Sequence, residues 1–219
     1  MNSPLSITTL SHLVVLLSCS IATASTTIKI VADNDFAVYT GDETSISRVI
    51  YHNEVVWSSQ LSAAATFTFD LLPGETMFYL LAMGGGGAEN ISGKINEVNI
   101  VDVFQNDANT VFRSTAIQGQ LSGYNLGTVS NGTYTPSLAS AQAALAAATF
   151  GAPVVATGET VINNNPEAVT LNGTRRGFSF ADSTAVFFRF GAATVGVPEP
   201  SSMTLVMGLG LLGLVRRRR

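Results

Sequence analysis

Apolar and polar residues alternate with a period of two in several short stretches of this 219-residue chain. Thr27-Ile28-Lys29-Ile30-Val31-Ala32 alternates, as do Phe36-Ala37-Val38-Tyr39 and Thr66-Phe67-Thr68-Phe69-Asp70. That period places successive side chains on opposite faces of a strand, so each stretch predicts a strand with one buried face. Met77-Phe78-Tyr79-Leu80-Leu81-Ala82 is apolar throughout and predicts a buried strand. Lys94 to Val103 predicts one more strand, and Val186-Phe187-Phe188-Arg189-Phe190 the last. Turn chemistry lies between them: Asp33-Asn34-Asp35, Gly41-Asp42, Pro73-Gly74, Asn131-Gly132 and Asn172-Gly173. One stretch differs. Ser137 to Phe150 is alanine-rich, with Thr135 as a cap, Pro136 at the first helical position, and Gly151 with Pro153 ending it. The expected fold is mainly β: an antiparallel, jelly-roll-like β-sandwich from Ile28 to Phe190 with one alanine-rich helix packed on it through Leu138, Leu145 and Phe150. Phe67, Phe69, Phe78, Leu80, Phe187 and Phe190 are its expected core.

The two ends of the chain carry a different pattern. Leu13 to Ile21 is an apolar run followed by Ala22-Thr23-Ala24, the small-x-small signature of signal peptidase cleavage. Residues 1–24 are therefore expected to be a signal peptide and a signal helix. Leu16-Leu17-Ser18-Cys19 also resembles a lipoprotein box, which leaves lipidation at Cys19 open beside cleavage after Ala24. At the other end, Met203 to Val215 is uncharged and Arg216, Arg217, Arg218 and Arg219 follow it. As a helix those thirteen residues rise to ~20 Å, short of a ~30 Å hydrocarbon core. Gly208, Gly210 and Gly213 weaken that helix further, each by up to ~1 kcal/mol. The four arginines resist translocation, so they form a cytoplasmic stop and the chain before Pro198 is expected outside.

Ahead of this segment stands Val197-Pro198-Glu199-Pro200-Ser201. A Pro-Glu-Pro element, an apolar run and a basic cluster, in that order, resemble the PEP-CTERM sorting signal of exported Gram-negative bacterial proteins. The resemblance implies an exosortase-like processing enzyme as partner, with cleavage near Pro198 to Ser201. It implies transient anchoring in the inner membrane through residues 196–219, then residence in the envelope or outside the cell.

Composition bounds the remaining domain, residues 25–195. The chain's one cysteine is Cys19, so the mature domain holds no thiol and no disulfide, and its stability must come from packing. Fourteen Asp and Glu against seven Lys and Arg in that span give a net charge of −7. An acidic surface of this kind excludes nucleic acid as a partner, because phosphate recognition needs a basic patch.

Ala32 to Tyr39, Trp57, Leu72-Pro73-Gly74-Glu75 and Tyr79 to Ala82 resemble the galactose-binding-like and PA14-like β-sandwiches, which often bind carbohydrate. The resemblance implies that Asp33, Asn34 and Asp35 form a ligand loop in which calcium is a candidate ion. It also implies that Trp57 is a sugar-stacking platform and that extracellular polysaccharide is a partner. The plain reading of the same residues is a tight turn and a core tryptophan.

Catalytic chemistry is sparse. His52 is the one histidine after residue 24, which excludes a two-histidine metal site there. Neither Gly-x-Ser-x-Gly nor His-Glu-x-x-His occurs. Gly84 to Gly87 lacks the spacing of a phosphate cradle and reads as a loop. Asn90-Ile91-Ser92, Asn131-Gly132-Thr133 and Asn172-Gly173-Thr174 have the form of glycosylation sequons and read as turns. The expectation is a non-enzyme without cofactor, structural or adhesive in a polysaccharide matrix. The alternatives are a carbohydrate-binding module or a glycan hydrolase built on an unrecognised carboxylate pair.

Overall fold

The computed structural model describes residues 25–33, 35–60, 64–85, 89–105, 118–124, 133–151, 154–157, 170–171, 174–180 and 184–191. The signal segment, Asn34 and residues 192–219, with the sorting element and its arginines, lie outside them. In chain order the strands are β1 (Thr26–Ala32), β2 (Asp35–Gly41), β3 (Ile46–His52), β4 (Ala65–Phe69), β5 (Met77–Met83), β6 (Asn90–Ile95), β7 (Val98–Asn99), β8 (Val154–Thr157), β9 (Thr170–Leu171), β10 (Thr174–Ser179) and β11 (Ala185–Gly191). The helices are α1 (Trp57–Gln60), α2 (Ile100–Gln105) and α3 (Leu138–Ala147), with one 3-10 turn at Gln118–Gln120.

Two antiparallel sheets pack as a sandwich. The first has the order β4-β1-β6-β10-β8, with β7 and β9 added beside β6 and β10; the second is β11-β5-β2-β3. They differ in how they meet solvent, and the sequence pattern follows from that difference. In β4 the threonines Thr66 and Thr68 are exposed between the more buried Ala65, Phe67 and Phe69. One face of this sheet looks outward there, and alternation is the result. In the second sheet β2, β5 and β11 are covered on both faces and are apolar nearly throughout, whereas the edge strand β3 is partly exposed. The strand with one buried face expected over Phe36–Tyr39 is therefore buried on both. Phe78, Leu80, Phe188 and Phe190 look into the sandwich, whereas Tyr79, Leu81 and Phe187 look out toward a second layer.

That second layer is α3 and the segment before it. Tyr39 Oη donates to Pro136 O at 3.5 Å, and Gln142 of α3 accepts from Ile46 N at 2.6 Å. Arg189 lies 4.2 Å above the Phe150 ring. Ser140, Ala141, Ala144 and Leu145 are the buried side of α3. Its alanines let it lie close to the sheet.

Aromatic contacts join the layers. Phe36, Tyr51, Phe67 and Phe69 form a column along the β3/β4 flank, with Tyr51 and Phe67 stacked at 4.4 Å. Phe69 meets Phe78 edge-on at 5.6 Å, and Phe78 stacks on Phe190 at 4.6 Å. Phe178 and Phe188 close the β10/β11 side at 5.4 Å. Each fully buried ring contributes ~2–3 kcal/mol, which is how a domain without disulfides holds together.

Several expectations need correction. The strand predicted over 94–103 breaks at Asn96 and Glu97, whose φ values of 48° and 66° make a two-residue turn from β6 into β7. The chain then enters α2, where Asn99 Oδ1 accepts from Val101 N at 2.8 Å. The alanine-rich helix is capped by Ser137, whose hydroxyl accepts from Ser140 N at 3.1 Å, and not by Thr135. It stops at Ala147, and Leu138 is exposed. Phe67 is half-buried because it lies at the flank, whereas Phe69, Phe78, Leu80, Phe187 and Phe190 are buried as expected.

Candidate functional site

The turn from β1 to β2 stands at one end of the sandwich. Gly84, Glu89, the chain from Asn53 to Gln60, and Tyr124 and Tyr134 surround it. Asp33 N donates to Asn90 O at 2.9 Å, which ties the turn to the start of β6. Asn53 N donates to Phe36 O at 2.9 Å, and Gln60 Oε1 accepts from Ala32 N at 3.4 Å. Tyr124 Oη donates to Gly84 O, and Tyr134 Oη donates to Ser122 O. This end is therefore a set of loops held by side chains.

Asp35 is fully buried and lies at the centre of that set. Its Oδ1 accepts from Phe36 N and from Asn53 Nδ2, each at 2.8 Å, and its Oδ2 accepts from Tyr134 N. Burial raises its pKa to about 6, against the hydrogen bonds from Asn53, Tyr134 and Phe36 and the charge of His52. Its oxygens are committed to the protein's own donors. Asp35 fastens β2 to a segment 99 residues away.

Asp33 is half-buried, and burial together with the charge of Glu89 raises its carboxyl to about 7. Glu89 is 2% exposed. A Cβ at position 84 would lie 2.6 Å from Glu89 Cδ, so Gly84 makes the room that Glu89 occupies. A carboxyl that keeps its proton near neutrality beside a second carboxyl is the raw material of glycan hydrolysis. Here the second carboxyl belongs to a buried residue, whereas Asp33 is half-buried.

Of the other residues picked out from the sequence, Trp57 begins α1 but its side chain is outside the described residues, as is Asn34. His52 Nε2 lies 2.9 Å from Glu54 Oε1 at an exposed position. Asn90 is buried in β6, a position closed to glycosylation in the folded domain. Among the described residues no three His, Cys, Asp or Glu side chains are placed to hold a metal ion. Asp35 accepts from three N–H donors of the protein, and Asn34, the middle residue of the expected ligand loop, lies outside the described residues.

Sequence reasoning missed Asn53, Gln60, Glu89 and Tyr134. Each acts through a partner distant along the chain, and no local pattern marks such a role.

The opposite end has its own network. Glu75 accepts from Thr40 Oγ1 at 2.6 Å, from Arg48 Nε and Nη2 at 2.9 Å each, and from Leu72 N at 2.7 Å, with Ser47 Oγ as a further donor. Burial pushes its pKa up, yet the hydrogen bonds from Arg48, Ser47, Thr40 and Leu72 outweigh that and hold it at about 2. A carboxylate this firmly ionised is no proton donor or acceptor near neutral pH. It is a clip between β3 and the β4–β5 turn.

Residues 196–219 match the PEP-CTERM protein-sorting motif. No curated protein matches the chain, and no solved structure matches it. The likeness to galactose-binding-like and PA14-like sandwiches therefore has no support among solved structures. The matched tail implies an exported protein that is processed at the membrane and sorted by an exosortase system.

Proposed function

We propose that the chain is a structural or adhesive protein of the cell surface or extracellular polysaccharide matrix, anchored transiently in the inner membrane and freed by cleavage near Pro198 to Ser201. The single observation that carries this reading is the sorting motif over residues 196–219. The apolar run in that motif is too short for a comfortable span, which suits an anchor meant to be removed.

The domain in front of it suits an extracellular role. It has no thiol to oxidise, and its core is continuous between two sheets. It acts without catalysis in this reading. Asp35 and Glu75 are held by hydrogen bonds within the protein, Glu89 is buried, and His52 pairs with Glu54. Attachment to polysaccharide would then use shallow contacts at the loop end around Asp33, where sandwich domains commonly carry their recognition loops.

Intact-mass analysis of the protein recovered outside the cell tests the processing. The expected mass ends between Pro198 and Ser201, and a recovered chain still carrying Arg216 to Arg219 overturns it. Co-sedimentation of that processed protein with extracellular polysaccharide from the producing cells tests the matrix role. A protein that stays in the supernatant, or that releases reducing sugar, defeats it.

A further inference from the structure

A row of hydrogen-bond donors crosses the outward face of the first sheet. Thr66 of β4 is opposite Lys29 of β1, Lys29 is opposite Lys94 of β6, and Lys94 is opposite Asn99 of β7. Opposed residues of an antiparallel pair share a face. Thr66 is exposed, so the face they share is the outward one. With neighbouring strands ~4.8 Å apart, the row is ~14 Å long.

Two features of the row ask for an anion. Like charges directly opposite on neighbouring strands destabilise a sheet, so Lys29 against Lys94 is unfavourable unless an acceptor bridges them. Within the domain that acceptor is Glu97, with Oε1 2.9 Å from Lys29 Nζ and Oε2 3.5 Å from Lys94 Nζ. The Lys29 hydrogen bond and charge hold the Glu97 carboxyl below its ordinary value, so it meets the lysines as an anion. Two ammonium groups and one carboxylate sum to +1, within a domain of net charge −7. Glu97 stands on the β6–β7 turn at φ 66°, and its side chain is 64% exposed, which leaves it room to swing away. The second feature is Asn99, 4% exposed. Its Oδ1 accepts from Val101 N at 2.8 Å, which makes Nδ2 the donor. That buried nitrogen has no hydrogen-bond acceptor among the described residues, a costly state for a polar atom.

We propose that this row binds a uronate-bearing polysaccharide, whose carboxylates take the place of Glu97 on Lys29 and Lys94 as the chain lies across β4, β1, β6 and β7. Glu97 itself shows which anion fits, a carboxylate bridging two ammonium groups, and it acts as a tethered competitor. The loop end, with Asp33, Asp35, Glu54 and Glu89, would repel such a polymer. The inference rests on the matrix role proposed above and adds a second contact face to it.

Binding of the exported protein to immobilised polygalacturonate, with neutral dextran and dextran sulfate as controls, tests this. The protein should bind polygalacturonate, lose it as salt is raised, and ignore dextran. Replacing both lysines, Lys29→Gln with Lys94→Gln, should weaken binding about tenfold. Glu97→Gln removes the competitor and should strengthen binding about threefold, a gain that a merely structural Glu97 would not produce. Unchanged or weaker binding by the Glu97→Gln variant overturns the proposal, as does equal binding to dextran. Binding to dextran sulfate without binding to polygalacturonate overturns the carboxylate assignment and the proposal with it. If polygalacturonate is not bound while the protein still co-sediments with the producing cells' polysaccharide, this face is refuted and the matrix role stands. Failure of both refutes the two together.

Discussion

Replacing Asp33 by asparagine should stabilise the domain at neutral pH and leave it unchanged in acid. Burial and the neighbouring Glu89 raise the Asp33 carboxyl from 3.8 to about 7. A raised acid favours the folded state while it is protonated. That contribution is complete below pH 3.8 and is lost as pH climbs through about 7. Fully expressed, a shift of this size corresponds to ~4 kcal/mol, at about 1.36 kcal/mol per pH unit. Asp33 is only half-buried, and solvent screening reduces the effect to about 2 kcal/mol. The Asp33→Asn substitution keeps the backbone hydrogen bond to Asn90 and the shape of the side chain, so it removes the ionisation alone. For a domain of this size each kcal/mol moves the Tm by ~2–4 °C. Thermal unfolding of the exported protein should therefore show the Asp33→Asn variant level with the parent near pH 4 and ~4–8 °C above it near pH 8. A Tm difference that is the same at both pH values, or a variant that melts earlier at the higher pH, refutes the reasoning.

Two further outcomes follow from the opposite end and from the sheet. Glu75→Ala leaves Arg48, Thr40, Ser47 and Leu72 without their shared acceptor and should cost about 3 kcal/mol at neutral pH in urea unfolding. Because the Glu75 carboxyl is lowered to about 2, its contribution is present above its ordinary 4.5 and is lost as pH falls through 2, so the penalty should shrink there; a penalty independent of pH would defeat the assignment. Gly93→Ala should cost about 3 kcal/mol, since its Cβ would lie 2.1 Å from Lys29 O on β1, whereas Gly74→Ala, with φ +93° and open space around it, should cost about 1 kcal/mol. The reverse order in denaturant midpoints would show that β1 and β6 do not approach as described.

Sequence alone determined the class of this protein and its destination. The alternating stretches of β1 and β4 were legible because one face of their sheet is solvated and the other is not, and a period of two records that difference directly. The apolar run of β5 was legible as buried for the same reason in reverse. The sorting motif was legible because a processing enzyme and a membrane read it as a linear segment, so its information is local.

Other features were decided by tertiary structure. β3, with Ser47, Arg48 and His52, has no clean alternation, because it is an edge strand whose polar side chains reach to Glu75 and Glu54. The break after Ile95 depends on two residues taking positive φ, which neither Asn96 nor Glu97 advertises as glycine would. Asp35 shows the limit most clearly. In sequence it belongs to an acidic turn that resembles a ligand loop. In the fold its carboxylate holds the backbone of Tyr134 and the side chain of Asn53. A carboxylate recruits whichever donors folding brings to it, and those donors lie 99 and 18 residues away along the chain.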